Sequence, residues 1–598
     1  MTLPTEATDA PYGPWNPGIS SQIPGDLRPL ATIFRPDNVF TSVDRAEEMH
    51  DLTGLEISEL VAFRPQRLAL HELLVRVTAD ISVPDGSRIE DLGINFRRIT
   101  GDILSRYVEP RAGVIVETYD ALRRQLSALI EAELAPLFPP PMASSAPPAQ
   151  QPRAGLFGRF TRRRAKHPVT DAGSNGERRL IAEWEGKAHS SDDEMPRAAY
   201  RALARVVSAL TVRHGRVWGS RELVASLATD LACNRLGGEA IGRLLEPWVA
   251  EAAKIEGYSL LPRQERPVVM NTKGASASGK STLRPLQKKL AGDIGVDWSQ
   301  FALISPDIWR KQLLDYGTLG AAYKYGGAFT GDELQIVDEK LDRYMARKAL
   351  RGDMSHLLID RFRFDSFASD SNEAGSNLLT RFGHIVYLFF MITPPASLVL
   401  RAWKRGQDVG RYKAVDDTLA HSVEAYSGMP DLFFTWVQRT DKRVQFEFLD
   451  NSVALGERPR TVAFGTNDTL NVLDVQCMLD VERYRRVNVD ARAPESLFTD
   501  AKLLAPEHNT GFLRQCVGKF REINFADQAT GRIYLHLASG VPAWADAEML
   551  ERAIASPDTR AGLLATAPAV FAGGLPAPDR PRYLRDAADY ESTHRLGR

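Results

Sequence analysis

Hydrophobic positions recur with a helical period in the first half of the chain, then change to short buried runs near residue 268. From Val43 to about Ala135 the period is helical, and in Asp120–Ala135 the side chains Leu122, Leu126, Leu129, Ile130 and Leu134 share one face. Helical periodicity returns over residues 179 to about 262, where Leu203, Val206, Val207 and Leu210 line one face and Trp184, Trp218 and Trp248 read as core or interface anchors. Four apolar runs follow: Val268–Met270, Phe301–Ser305, Ser355–Asp360 and His384–Thr393. Between them lie helical patterns through Leu283, Leu286 and Leu290, and through Leu334, Val337, Leu341, Tyr344 and Met345. This alternation predicts an α/β domain, a parallel sheet flanked by helices. Past Asp450, Arg460–Gly465 and Leu470–Asp490 mix strand-like alternation with charge, Gly511–Ile523 looks helical, and a Pro/Gly/Asp-rich tail starts at Ala567. Asp474, Asp480 and Glu482 are expected as exposed polar positions on strands rather than metal ligands.

Prolines 4, 11, 14, 17, 24, 29 and 36 predict an extended N-terminal arm. A Pro/Ala-rich stretch from Pro136 to about Glu177 predicts a linker, with a basic run of Arg159, Arg162, Arg163, Arg164 and Lys166. The expected division is residues 1–135 (arm and helical domain), 136–178 (linker), 179–262 (helical module), 263–450 (α/β domain) and 451–598 (mixed α+β region).

Composition narrows the picture. A chain of 598 residues with 43% apolar and 25% charged side chains has ample core for several domains. The formal net charge of −1 gives no global attraction to a polyanion. Cys233, Cys477 and Cys516 are far apart and form no C-x-x-C pair, so neither a disulfide framework nor a structural zinc site is expected. The first residues lack the basic and apolar regions of a signal peptide, and the longest apolar run, Ile385–Ile392, is too short to span a bilayer. A cytoplasmic protein without membrane contact is expected.

The sharpest chemical signal follows the first buried run. Gly274, Ala275, Ser276, Ala277, Ser278, Gly279, Lys280, Ser281 and Thr282 form G-x-x-x-x-G-K-[ST] between a strand and a helix. Small residues let backbone N–H groups turn inward around a phosphate, and the helix N-terminus adds positive potential. Lys280 is expected to reach the outer phosphates of ATP, and the Ser281 hydroxyl to ligate Mg²⁺.

Further candidates fall at the following strand ends, where parallel sheets bind ligands. Asp307, after the second run, is placed to accept a proton from an attacking hydroxyl, and Arg310 lies one turn on, able to order Asp307 or hold a phosphate. Tyr323-Lys-Tyr-Gly-Gly327 precedes a predicted capping box, Thr330-Gly-Asp-Glu333. Asp360 ends the third run and is placed to bind the acceptor hydroxyl or a metal-bound water. After the fourth run, Arg401 and Arg405 lie i,i+4 on one helix face, with Lys404, Arg411 and Lys413 nearby. A mobile arginine lid of this kind neutralises charge on a transferring phosphoryl group.

Taken together, G-x-x-x-x-G-K-[ST], Asp307-x-x-Arg310 and Arg401-x-x-Lys404-Arg405-Gly406 resemble the kinase domain of phage polynucleotide 5′-hydroxyl kinase and of zeta-toxin-type kinases, over about residues 265–450. The resemblance implies a P-loop kinase domain in which Asp307 is the general base, Lys280 and Ser281 hold ATP·Mg, and Arg401 and Arg405 form the lid. Two features depart from it. No Asp-x-Asp-x-Thr phosphatase motif is present, and Asp360-Arg361-Phe362-Arg363 lacks the small residues that often follow this strand in zeta toxins. The expected function is an ATP-dependent kinase acting on a hydroxyl of a nucleotide-type small molecule, a nucleotide sugar or a dinucleotide. The alternatives are a 5′-hydroxyl RNA or DNA kinase and, in another class, an ATP-dependent switch or scaffold whose helical modules bind a protein partner. A motor ATPase is disfavoured, because the third run ends in a single Asp rather than an Asp-Glu pair.

Overall fold

The computed structural model describes residues 12–138, 172–361, 382–454, 456–586 and 593–598. The basic run at 159–166 and most of the expected linker lie outside these residues. The helix Ala172–Ser190 begins inside the range expected to be linker. Its C-terminal half buries Trp184, whose indole N–H donates to Glu133 at 3.0 Å.

The chain divides into two compact units, one of Ile33–Glu72 and Val108–Leu245, the other of Met1–Thr32, Leu73–Tyr107 and Glu246–Arg598. This division departs from the boundaries expected above. Two of its four crossings fall inside continuous helices, Pro65–Asp80 and Gly238–Glu256.

The first unit is helical. The Ser42 and Ser220 hydroxyls cap the helices Val43–Thr53 and Arg221–Ala232 by accepting from the amides of Arg45 and Leu223. Leu203, Val206, Val207 and Leu210 on Glu194–His214 are all buried, as their spacing predicts. Trp218, by contrast, is 48% exposed.

The second unit is built on one ten-stranded sheet. Its strands are β1 (Val268–Lys273), β2 (Phe301–Ile304), β3 (His356–Asp360), β4 (Ile385–Ile392), β5 (Arg443–Asp450), β6 (Arg460–Thr466), β7 (Thr469–Val472), β8 (Glu522–Ala526), β9 (Ile533–Ala538) and β10 (Val541–Ala545). They lie in the order β10-β9-β8-β7-β6-β5-β4-β1-β3-β2. From β2 to β5 every pairing is parallel, and β7 also runs parallel to β8. β1 is buried along its whole length, as expected of a central parallel strand covered on both faces.

The region after Asp450 extends this same sheet, because β6 pairs antiparallel with β5. It also shares the core. Phe512 and Phe520 pack on Phe433 with ring centres 6.0 and 5.8 Å away, and Phe520 lies 5.5 Å from Phe446 of β5. Asp474, Asp480 and Glu482 are not on a strand, in contrast to the expectation. Asp474 caps the helix Val475–Arg483 through the Cys477 amide, Asp480 pairs with Arg483, and Glu482 accepts from the Gly511 amide at 2.9 Å.

The expected capping box at Thr330 does not form either. The Thr330 hydroxyl instead donates to the carbonyls of Gly326 and Gly327 and accepts from Arg310 at 2.8 Å, while the helix Gly331–Leu350 starts without a side-chain cap. That helix fastens the end of β3. Arg361 is buried between Asp338 and Asp342, each at 2.8 Å. Removing one partner from so buried an ion cluster typically costs about 3–5 kcal/mol. Among the described residues, no helix is long and apolar enough to cross a membrane.

Candidate functional site

β1 has β3 on one side and β4 on the other, so the loop leaving its carboxyl end opens where chain connections diverge, the usual place for a ligand crevice in such sheets. That loop is Gly274–Thr282. Ala277 takes a left-handed conformation (φ 64°) and Gly279 another (φ 94°). A Cβ at Gly279 would stand 2.3 Å from the Asn451 side-chain nitrogen, so both backbone angle and space demand glycine there. The chain then enters a short helical turn, Lys280–Leu283, and the helix Arg284–Asp293.

The loop is braced from β4 and β5. Asn451, just past β5, donates its side-chain N–H to the Ser278 carbonyl at 2.7 Å. Arg401 donates to the carbonyls of Asn451 (2.6 Å), Val453 (3.2 Å) and Ser278 (3.4 Å). Its guanidinium is therefore engaged with backbone rather than gathered with Arg405. The Ser278 hydroxyl is buried and has no hydrogen-bond partner among the described residues, a polar atom left for something the loop would hold.

Lys280 folds back over the loop, donating to the carbonyls of Gly274 and Ala275 at 3.1 Å each. Burial lowers its pKa, and the charges of Asp360 and Asp307 oppose that. Ser281 donates its hydroxyl to Asp360 Oδ2 at 2.7 Å. This contact joins the loop after β1 to the end of β3, where Thr272 pairs in register with Asp360. The Ser281 hydroxyl and the Asp360 carboxylate thus stand side by side at the carboxyl ends of β1 and β3.

Across from this pair stands Asp307, in the turn Pro306–Trp309 after β2. Arg310 Nε donates to Asp307 Oδ1 at 3.1 Å, and Arg411 forms an ion pair with Oδ2. The Asp307 side chain is 47% exposed; its partial desolvation pushes the carboxyl up, but Arg411, Arg310 and Arg405 outweigh that and hold the group well below the ordinary carboxylate range. Arg310 is itself fixed by the Gly327 carbonyl at 2.6 Å and by Thr330. Arg310 thus orders Asp307 and also ties it to the short helix Gly326–Phe329, whose chain takes up the stretch expected as a loop.

Arg405 differs from these. Its Nε is buried without a hydrogen-bond partner among the described residues. Burial and the neighbouring Arg411 push its pKa down, with Asp307 acting the other way. It is a cation poorly neutralised by its own protein and suited to an incoming anion.

Of the expected residues, the structure brings Lys280, Ser281 and Asp360 to the loop and Arg310 and Arg405 to Asp307, and places Arg401 behind the loop. Asn451 had no sequence signal, because its role depends on β5 ending beside the loop. Arg411 lies in the basic stretch after the helix Pro395–Val409, one residue past Gly410 in a left-handed turn.

In the comparisons with known proteins, no family model, curated protein or solved structure matches the chain.

Proposed function

We propose that this chain is an ATP-dependent kinase that transfers the γ-phosphoryl group to a hydroxyl of a nucleotide-type small molecule. The observation that carries this proposal is the Ser281–Asp360 contact at 2.7 Å, made between the phosphate-loop motif and the neighbouring parallel strand. A Gly/Ser-rich loop present by chance would have no reason to aim its Ser at a strand-end carboxylate. Mg²⁺, when bound at these two oxygens, neutralises charge on the outer phosphates.

The protein groups then divide the work. The loop amides from Gly274 to Thr282 bind phosphate oxygens, and Lys280 exchanges its carbonyl partners for the outer phosphates. Asp307, kept ionised by its arginines, accepts the hydrogen of the acceptor hydroxyl and orients its oxygen. Arg405 and Arg411 supply positive charge where the transferring group becomes most anionic. The near-neutral net charge favours a small acceptor over a long polyanion, which usually demands an extended basic surface.

The test incubates the full chain with γ-labelled ATP and Mg²⁺ and offers nucleotide sugars, dinucleotides and a 5′-hydroxyl oligonucleotide separately. Label is expected on a small-molecule acceptor. Asp307→Asn should reduce transfer by roughly 10²–10⁴-fold with ATP affinity unchanged, the usual contribution of a positioned acid–base group. Label on the oligonucleotide alone would move the assignment to a polynucleotide kinase. Absence of ATP binding would overturn it.

A further inference from the structure

The start of the second unit is a stretch that the transfer chemistry above leaves without a task. Residues 12–24 contain no helix, and Gly13 and Asn16 close a tight turn through backbone bonds of 2.9 and 3.0 Å. Past the turn, Gly18 (φ 75°) lies against the Tyr12 ring, where a Cβ would stand 2.3 Å from a ring carbon, so both angle and space demand glycine. The ring held in this way carries the Lys324 ammonium 3.8 Å from its centre, and the same ammonium donates to the Pro17 carbonyl at 3.1 Å. The stretch has three further anchors. Trp15 packs on the apolar cluster of Val399, Val415 and Leu419, the Ser21 hydroxyl donates to Asp416 at 2.7 Å, and the Thr32 hydroxyl donates to the Phe329 carbonyl at 3.1 Å.

These contacts converge on two segments, and each segment controls one oxygen of Asp307. Tyr316–Phe329 carries Lys324 and the Gly327 carbonyl that fixes Arg310, the donor to Oδ1. Residues 410–414, between the helices Pro395–Val409 and Val415–Val437, carry Arg411, the partner of Oδ2. Lys324 joins the two. The ring of Tyr412, next in the chain to Arg411, lies 5.3 Å from its ammonium and packs edge-on against Tyr323 with ring centres 5.9 Å apart.

We propose that Tyr12 and Lys324 are positioning residues for phosphoryl transfer: the N-terminal arm is a clamp that holds these two segments together and so sets Arg310 and Arg411 around Asp307. The proposal rests on the kinase assignment above. With the Asp307 side chain 47% exposed, water competes for both of its oxygens, and an ion pair in that setting keeps one geometry only where its carriers are already fixed. The arm supplies that fixing from behind, through the neighbours of the arginines in the chain.

Full-chain variants test the clamp. Gly18→Ala displaces the Tyr12 ring, Lys324→Met removes the charge but keeps the stem, and Lys324→Arg keeps a charge that still stacks on a ring and donates. Each is compared with wild type by kcat for ATP·Mg, with water as the acceptor and phosphate release as the readout. Affinity for a fluorescent ATP analogue and amide hydrogen exchange are measured in parallel. Gly18→Ala and Lys324→Met should lower kcat by up to roughly 10²-fold, the effect of an ångström-scale misplacement, with ATP affinity kept. Exchange should speed up in residues 316–329 and 410–414 alike, and Lys324→Arg should recover most of the rate. Unchanged kcat in both disruptive variants would overturn the clamp, and raised kcat would do so by making the arm a cover over the site. Lys324→Arg as slow as Lys324→Met would also overturn it, as would ATP affinity falling in step with kcat, the mark of a general loosening of the fold. A wild-type chain that binds no ATP would remove the kinase assignment and the positioning role with it. Unchanged exchange in Gly18→Ala beside normal ATP binding would remove the clamp alone.

Discussion

Arg401 and Arg405 stand one helical turn apart on the same helix, yet their guanidinium groups do different things. Arg401 is engaged with three backbone carbonyls that include Ser278 of the Gly274–Thr282 loop. Arg405 keeps a buried Nε without a partner and faces the positive field of Arg411. Arg405→Ala is therefore expected to lower kcat by one to two orders of magnitude while ATP affinity changes little, since its charge acts mainly on the transition state. Arg401→Ala should instead weaken ATP binding, because the Ser278 carbonyl and the turn after β5 lose their brace. Steady-state kinetics with ATP titration of both variants and of the double mutant checks this, and near-additive effects are expected of residues that work apart. A parallel fall in kcat alone for both, with strong non-additivity, would make them one lid. The sequence puts the two arginines on one face correctly, since helical spacing determines that. It does not say which carbonyls come within reach, because those belong to a strand end fifty residues away, and Asn451 escapes sequence reasoning for the same reason.

At the scale of elements, β3 links folding to the candidate site, with Asp360 at its end and His356 at its start. His356 is 5% exposed, and its Nδ1 accepts the Val268 amide of β1 at 2.9 Å, so only the neutral ring with an unprotonated Nδ1 fits. Burial lowers its pKa from 6.5 to about 4. The unfolded chain then binds a proton near pH 6.5 that the folded chain refuses until about pH 4. The contribution of the neutral ring is fully present above pH 6.5 and declines as pH falls from there towards 4. At about 1.4 kcal/mol per pH unit, the loss approaches about 3 kcal/mol. Urea unfolding at pH 7 and pH 4.5 should show this fall, and His356→Gln should show a shallower one over the same range. An identical pH dependence in the variant would mean that other groups control acid unfolding. The runs that became β1 to β4 were legible as strands because a sheet covered on both faces needs apolar residues in succession. Their lateral order was not legible, since no local pattern records which strand lies beside which. The helix Val475–Arg483 was misread for a related reason: nine residues give too few turns to separate a helical stripe from alternation once charges are interspersed.

For the whole molecule, the consequential finding is that residues past Asp450 complete the second unit instead of forming a region of their own. β6 covers the edge that β5 would otherwise present, and residues near position 596 return to the same place. Glu447 of β5 is 1% exposed, and its carboxylate accepts from the Thr461 hydroxyl at 2.6 Å and from the amides of Leu596 and Gly597 at 2.6 and 2.9 Å. Burial raises its pKa and these three donors oppose the rise. The aromatic cluster around Phe433 takes Phe512 and Phe520 from the same region. A chain ending at Glu457 would therefore lose the pairing partner of β5, these three donors to Glu447 and two rings of the core. Exposed, unpaired strand edges of that length associate with one another. The truncated chain is expected to aggregate or to melt without a cooperative transition, and to lose ATP binding, because Asn451 and Val453 would no longer be held against the loop. Size-exclusion chromatography, thermal unfolding and ATP titration on the same preparation measure this. If the shortened chain instead stays monomeric and binds ATP as tightly as the full one, β6 to β10 are a detachable addition, the boundary at residue 450 expected from sequence is the physical one, and the core contacts of Phe512 and Phe520 carry little of the stability.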